Sequence, residues 1–190
     1  MASTIKTNNI TGFSGGAGSA PITLSGDTAT LSGTGVTFPT GHVIQVKRSN
    51  IALTGGDYNQ FSFSSSTASV VSHNSNNLEV TGFSASSGNI LFVTWNYGLL
   101  GTASSNTCLS GFKVGSTFYA TNFFQGGAGG AGNGRYTMVS TGSITLSSAL
   151  SNVTISASVS SPNNTSAQLL HYTYSGPTHI PSITVMEIQQ

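Results

Sequence analysis

Apolar and polar residues alternate along much of this chain with a period of two. The clearest case is VTISASV at 153–159, where an apolar residue occupies every second place. Successive side chains of a strand point to opposite faces, so this pattern predicts a strand with one buried and one wet face. No stretch of helical length repeats its apolar residues with a helical period. The pattern therefore predicts an all-β protein.

Short segments of strand character follow one another from residue 42 onwards, separated by glycine-rich turns. The predicted strands are 42–46, 58–63, 68–73, 78–83, 89–97, 109–114, 117–120, 136–141, 144–146, 153–159, 168–174 and 182–188. The last of them is apolar at 183, 185, 186 and 188, which predicts a central strand, buried on both faces and near a subunit contact. Many short strands without helices indicate a sandwich or barrel, and the jelly roll is one such architecture.

The first 40 residues differ from the rest of the chain. A glycine cluster at 12–18 precedes two short alternating pieces, 22–24 and 28–31, and a Phe-Pro-Thr-Gly boundary follows at 38–41. An isolated hairpin is marginal in water, so these pieces need identical chains beside them to form a stem. The alternative is a flexible linker. We expect a domain at 41–190 and an attachment or stem segment at 1–40.

Charge is scarce: 5% of the residues are charged and the formal net charge is +1. A neutral surface of Ser, Thr, Asn and Gly does little to prevent strand edges from associating, and a closed oligomer would cover those edges. We therefore expect a homotrimer. Nucleic acid is excluded as a partner because phosphate binding needs clustered Lys and Arg. The one adjacent basic pair, Lys47-Arg48, is interpreted as a solvated strand end. The longest apolar run, 90–93, is too short for membrane insertion.

A glycine-rich segment, QGGAGGAGNGR at 125–135, and the aromatic residues before it are candidates for recognition. A phosphate-binding loop would carry Lys followed by Ser or Thr and lead into a helix, so a displayed surface loop is the better interpretation. Aromatic rings at Trp95, Tyr97 and 118–124 either stack on glycans or pack in the core, and core packing is favoured. The candidate receptor or partner surface comprises Phe123, Phe124, Gln125, Asn133 and Arg135.

No residue is assigned to catalysis, to a metal or to a cofactor. The histidines show no zinc-binding spacing, although one lying on a trimer axis would meet two copies of itself. Of the four acids, Asp57 and Glu79 are the pair a glycosidase would need, but Asp57 follows two glycines and suits a turn. The single cysteine, Cys108, is expected in the core.

Three stretches together carry a resemblance to a known family. The opening MASTIKTNNI at 1–10 resembles the start of small fibre-like proteins of marine and freshwater phages, cyanophages in particular. GHVIQV at 41–46 resembles the entry into their C-terminal domain, and SITVMEI at 182–188 resembles their last strand. Looser matches lie at 88–93 and 109–116. The resemblance implies a virion component whose trimeric head is similar to C1q and tumour-necrosis-factor jelly rolls, without catalytic residues. The glycine loop departs from the family, so the receptor surface is not carried over.

The expected function is that of a non-enzymatic structural protein of the phage particle, a fibre or appendage of the tail-fibre type. Its trimeric head would serve host attachment, with other virion proteins and a host surface glycan as partners. Ile5, Lys6, Asn8, Asn9 and Ile10 are the candidates for attachment to the particle. Two alternatives stay open: a decoration or head-fibre protein on the capsid and, more distantly, a glycan-degrading enzyme.

Overall fold

A computed structural model of the chain describes residues 22–25, 28–31, 40–51, 59–102, 107–125, 134–164, 167–171 and 180–190. These residues form strands and turns without a helix, so the all-β prediction is confirmed. Consequently the described part of the chain holds no helix long and apolar enough to cross a membrane. Contacts divide the chain into two units, Met1–Phe38 and Pro39–Gln190.

In the described residues of the first unit, strand β1 (Ile22–Ser25) pairs antiparallel with β2 (Thr28–Leu31). The strands of the second unit are β3 (Val43–Asn50), β4 (Asn59–Phe63), β5 (Ser69–Val70), β6 (Ser72–His73), β7 (Asn76–Asn77), β8 (Glu79–Ala85), β9 (Ile90–Thr102), β10 (Thr107–Val114), β11 (Thr117–Gln125), β12 (Gly134–Thr145), β13 (Leu150–Ser160), β14 (Ala167–His171) and β15 (Ser182–Ile188).

Two antiparallel sheets make up most of the second unit. Sheet one has the order β12–β9–β15–β3, and β14 with β4 continues it beyond the end of β15. Sheet two has the order β11–β10–β13–β8, with β5 beside the far end of β13. The last strand, β15, lies between β9 and β3, which confirms its predicted central position.

The inward residues of the two sheets form one apolar core, the arrangement of a β sandwich. Trp95 and Phe112 are fully buried, which confirms the core interpretation of Trp95, and Phe112 stacks on Tyr119 at 5.5 Å between ring centroids. The indole Nε1 of Trp95 in sheet one donates to the carbonyl oxygen of Gly111 in sheet two at 2.7 Å. Cys108 is buried in this core, as predicted.

Two predicted boundaries were wrong for physical reasons. The segments 136–141 and 144–146 belong to one strand, β12, because Gly142 is needed for close packing rather than for a turn: a Cβ there would collide with Thr121. The segment 68–73 does not form one strand. It divides at Val71, because Ser69 and Val70 pair with β13 whereas Ser72 and His73 pair with β7. Asn74 and Ser75, with positive φ angles of 47° and 65°, then turn the chain between β6 and β7.

Candidate assembly surface

The outward residues of sheet one form a contiguous apolar surface. In the register of β15 with β9, Met186 lies opposite Phe92 and Ile188 opposite Ile90. On the other side of β15, Val46 pairs with Met186 and Val43 with Ile188. These residues alternate with the buried row Ile183, Val185, Leu91 and Val93, so they point away from the core. We call Val43, Val46, Ile90, Phe92, Met186 and Ile188 the apolar face.

The apolar face is only partly covered within one chain. Val46 is 54% exposed and Val43 is 42% exposed, while the other four side chains are half-buried. Fully burying a side chain of this size contributes roughly 1.5–3 kcal/mol relative to leaving it in water. The predicted burial of β15 on both faces is therefore met on the inner face alone, and the outer face is available to a partner.

Neutral residues surround the apolar face on the same side of the sheet. The next row holds Thr184, Thr94 and Thr141, and the hydroxyls of Thr94 and Thr141 lie 3.0 Å apart. Arg48, opposite Thr184, is the charged residue at this margin. A partner that covers the apolar face thus has no charge to desolvate at its centre.

Glu187 fixes the strand that presents Met186 and Ile188. It is buried among the inward residues of β15 at the end of the core. Its carboxylate accepts hydrogen bonds from Gln45 Nε2 at 2.7 Å, from Asn89 Nδ2 at 2.6 Å and from the Ser86 backbone N–H at 2.8 Å. Gln45 Nε2 also donates to the carbonyl oxygen of Ser84. These bonds join β15, β3 and the β8–β9 turn. From the sequence, Glu187 stood out only as one of four acids.

Two more exposed apolar side chains lie on the strands that form the β11–β12 edge of the sandwich. By strand register, Phe123 of β11 is on the outer face of sheet two and Val139 of β12 is on the outer face of sheet one. Phe123 is 60% exposed and Val139 is 50% exposed. The two strands are joined by the hydroxyls of Thr121 and Ser140, which lie 2.7 Å apart, and Asn122 Nδ2 lies within 3.4 Å of both. The favoured core interpretation of the phenylalanine cluster was therefore wrong for Phe123.

The structure describes the other candidate recognition and attachment residues incompletely. Phe124 and Gln125 lie in β11 and Arg135 in β12, on strands next to each other at this edge, but the directions of their side chains are not described. Asn133 lies outside the described residues. So do all five candidates for particle attachment, Ile5, Lys6, Asn8, Asn9 and Ile10.

Groups that could carry chemistry are dispersed. Within the described residues, no three His, Cys, Asp or Glu side chains come close enough to hold a metal ion. His73 is buried beside Asn74, whose Nδ2 lies 2.9 Å from Nε2 of His73. Asp57 lies outside the described residues, so its suggested pairing with Glu79 is not tested.

Two core groups are held in their neutral forms. Burial raises the pKa of the Cys108 thiol to about 12 and the pKa of Tyr97 to about 12. The Tyr97 hydroxyl has no hydrogen-bond partner among the described residues. Since the thiolate is the reactive form of cysteine, Cys108 is chemically inert where it lies.

No protein-family model matches this chain, and no curated protein matches it either.

Proposed function

We propose that this chain is a non-enzymatic structural protein of a bacteriophage particle that assembles as a trimer through the apolar face. That face is the observation that carries the assembly role. It spans strands β3, β9 and β15 of a chain with very few charges, and nothing within the described residues covers it. The resemblance of segments 1–10, 41–46 and 182–188 to small phage fibre proteins supplies the phage context.

The strand order supports a jelly roll similar to those of C1q and tumour necrosis factor. The eight long strands, numbered one to eight in chain order, are β3, β8, β9, β10, β11, β12, β13 and β15. In these numbers the strand order across sheet one is 1–8–3–6, and the order across sheet two is 2–7–4–5. Apart from β10 and β11, which are neighbours in sheet two, successive strands cross between the sheets in the nested order that two Greek keys produce. On this proposal β4–β7 and β14 are additions to the roll.

A ring of three is favoured over a twofold dimer because the chain has two different apolar sites. A twofold interface places one surface patch against itself, whereas a ring joins two unlike patches of neighbouring subunits. The apolar face of sheet one offers one patch, and the exposed Phe123 of β11 in sheet two offers a different one. We propose that this edge of one subunit packs against the apolar face of the next.

The proposed division of labour follows the resemblance. Residues 1–40 attach the trimer to the particle, and residues 41–190 form the head that meets the host surface, in the manner of a tail fibre. The core and both sheets lie in the second unit, Pro39–Gln190. We therefore expect residues 41–190 to fold without the attachment segment.

A chain shortened to begin at Gly41 tests this division. It should form the same trimer as the full chain by light scattering but fail to join particles that lack the protein. If the shortened chain joins particles normally, the head itself grips the particle, and the capsid-decoration alternative replaces the fibre. A particle reconstruction would then place the density on the shell rather than on the tail.

The non-enzymatic part of the proposal has its own test. The trimer is incubated with polysaccharide purified from a host that the phage infects, and reducing ends are measured over time. No increase is expected. Release of reducing sugar that persists after further purification would replace this proposal with the glycan-degrading enzyme.

A further inference from the structure

A cleft of about 300 Å³ opens between the edge strand of sheet one, β3, and the edge strand of sheet two, β8. Its walls are Lys47, Arg48 and Ser49 on β3, and Glu79, Val80 and Thr81 on β8. This volume is at the lower end of small-molecule sites. The chain has five basic and four acidic residues in all, and three of these nine line this one cleft.

The charged groups take separate positions around the cleft. Lys47 pairs with Val185 in the inward row of sheet one, so its neighbour Arg48 belongs to the outer face. Glu79 alternates with the buried Val80, so it belongs to the outer face of sheet two. Lys47 therefore occupies the base of the cleft, with Arg48 and Glu79 on opposite rims.

Lys47 is held in place at the base. Its Nζ donates to the carbonyl oxygen of Gly82 at 2.6 Å and lies 5.8 Å from the centroid of the Phe83 ring. An ammonium group has three donors, so two remain for a ligand. The interpretation of Lys47-Arg48 as a solvated strand end was thus wrong for Lys47, which is half-buried within β3.

Arg48 is exposed, and its guanidinium has no hydrogen bond or ion pair to any other described residue. Its guanidinium presents five donors in a planar fork that suits a carboxylate or a sulfate. Glu79 accepts from Asn77 Nδ2 at 3.2 Å and keeps further acceptor capacity for hydroxyl groups.

The two strand edges add backbone groups to the cleft. Among the described residues β3 pairs with β15 alone and β8 with β13 alone, so each has one edge without a strand partner. Alternate N–H and C=O groups of these edges point away from the paired side. The cleft thus combines two cations, one carboxylate and peptide donors and acceptors.

We propose that this cleft binds a singly charged acidic sugar, a saccharide unit that carries a carboxylate or a sulfate. Arg48 and Lys47 hold the anionic group, and Glu79 with the strand edges holds the hydroxyls. A ligand with several phosphates fits poorly because Glu79 repels additional negative charge. Within one chain this site lies on β3 and β8, with Arg48 at the margin of the apolar face, and it rests on the proposed role in host attachment.

The test uses the full chain, titrated with glucuronate, glucose 6-sulfate and glucose, and followed by calorimetry and saturation-transfer NMR. Glucuronate or glucose 6-sulfate should bind at least about tenfold more tightly than glucose, since one charge-assisted contact accounts for about 1.4 kcal/mol, a factor of ten. The sugar that binds more tightly identifies the anion. Equal affinities for glucose and both acidic sugars would overturn the proposal.

Single-residue variants distinguish binding of the acidic sugar in the cleft from non-specific electrostatic attraction to the chain. Arg48→Gln should lose most of the preference for the acidic sugar, and Glu79→Gln should strengthen binding because it removes a like charge. Lys113→Gln makes the same change in net charge on β10, outside the residues that line the cleft, and should leave affinity unchanged. If Lys113→Gln weakens binding as much as Arg48→Gln does, the attraction is not specific to the cleft and the proposal is wrong.

Light scattering on each variant distinguishes a failure of sugar binding from a failure of the proposed trimer assembly. An intact trimer that binds no acidic sugar removes the cleft site and leaves the assembly role standing. A wild-type chain that is monomeric removes the assembly role whatever the sugar titration shows.

Discussion

The outer faces of the two sheets differ in what they carry and in what covers them. On sheet two, the outward residues of β13 are Ser156, Ser158 and Ser160, which alternate with the buried row of the core and are themselves buried. On sheet one, the corresponding central strands carry Phe92, Met186 and Ile188, and these side chains remain half-exposed.

The chain itself covers the serines of sheet two. Strands β10 and β5 lie on opposite sides of β13, so Lys113 of β10 must cross β13 to donate from Nζ to the carbonyl oxygen of Ala68 at 3.0 Å. Segment 64–68 is fixed further by the Ser161 N–H, which donates to the carbonyl oxygen of Ser65 at 2.8 Å. The outer residues of β13 in sheet two are therefore buried within one chain, whereas the apolar face of sheet one remains available for another chain to cover.

Deleting residues 182–190 should remove the apolar face, because β15 supplies two of its six residues and joins β9 to β3. Inner residues Ile183 and Val185 would leave the core, and three donors to Glu187 would lose their acceptor. We expect no soluble assembly and no cooperative unfolding by circular dichroism. Deletion of the exposed Gln190 alone is the control, and a trimer that survives the longer deletion would refute the central role of β15.

Charge placed on one outer face but not on the other should break the assembly selectively. Met186→Glu and Val46→Glu insert a carboxylate into the apolar face, and burying an unpaired charge costs several kcal/mol. Trimer dissociation should rise by about 100-fold or more, equivalent to about 2.7 kcal/mol. Sedimentation at a series of concentrations measures this change.

The matched control for these variants is Ser151→Glu, which puts the same group on an exposed position of β13 in sheet two, away from the β11–β12 edge. It should leave the trimer intact. Because Val46 is exposed in the single chain, Val46→Glu should keep its strand content by circular dichroism even as the trimer dissociates. Equal loss of assembly in all three variants would contradict a specific role for the apolar face.

Alternation in the sequence was enough to find most strands and the central place of the last one. Segment 153–159 and segment 182–188 lie within β13 and β15 respectively. What alternation could not show is which of two apolar rows faces the core. Met186 and Val185 are equally apolar in the sequence, and only the pairing of β15 between β9 and β3 assigns one to the inside and one to the outside.

The cleft and the hydrogen bonds around Glu187 could not be predicted from the sequence, for a different reason. Glu187 meets Ser86 and Asn89, which lie about a hundred positions earlier in the chain, and Lys47 meets Gly82 across the sandwich. Such contacts depend on the order of strands in two sheets, which local periodicity does not encode. The sequence supplied the residue types, and the fold supplied their neighbours.

Removing the Glu187 carboxylate tests how much its hydrogen bonds stabilise β15, the strand that carries Met186 and Ile188 of the apolar face. Glu187→Ala should destabilise the fold by about 2 kcal/mol or more, because it leaves the buried amide of Asn89 and the partly buried backbone N–H of Ser86 without an acceptor. Denaturant unfolding measures the change. Glu79→Gln, at the less buried Glu79, should change stability by less than about 0.5 kcal/mol. Equal effects of the two variants would show that burial of Glu187 is not what matters.

The smallest expected effect concerns the inner face at alkaline pH. Burial raises the pKa of Cys108 from 9.0 and that of Tyr97 from 10.0, each to about 12. Both folded-state pKa values exceed the unfolded ones, so this contribution to stability is complete below pH 9 and is lost as pH rises towards 12. Melting temperatures measured over this range should fall, and Cys108→Ala should delay the onset of the fall. A flat profile through pH 11 would contradict the burial of these groups.

The most direct test of the account is the molar mass of the full chain in solution, measured by light scattering at micromolar concentration. A ring of three, in which each apolar face is covered by the neighbouring subunit, predicts about three times 19.3 kDa, maintained on dilution until the trimer dissociates. A stable monomer of 19.3 kDa would show that the apolar face tolerates water and that the proposed assembly does not occur.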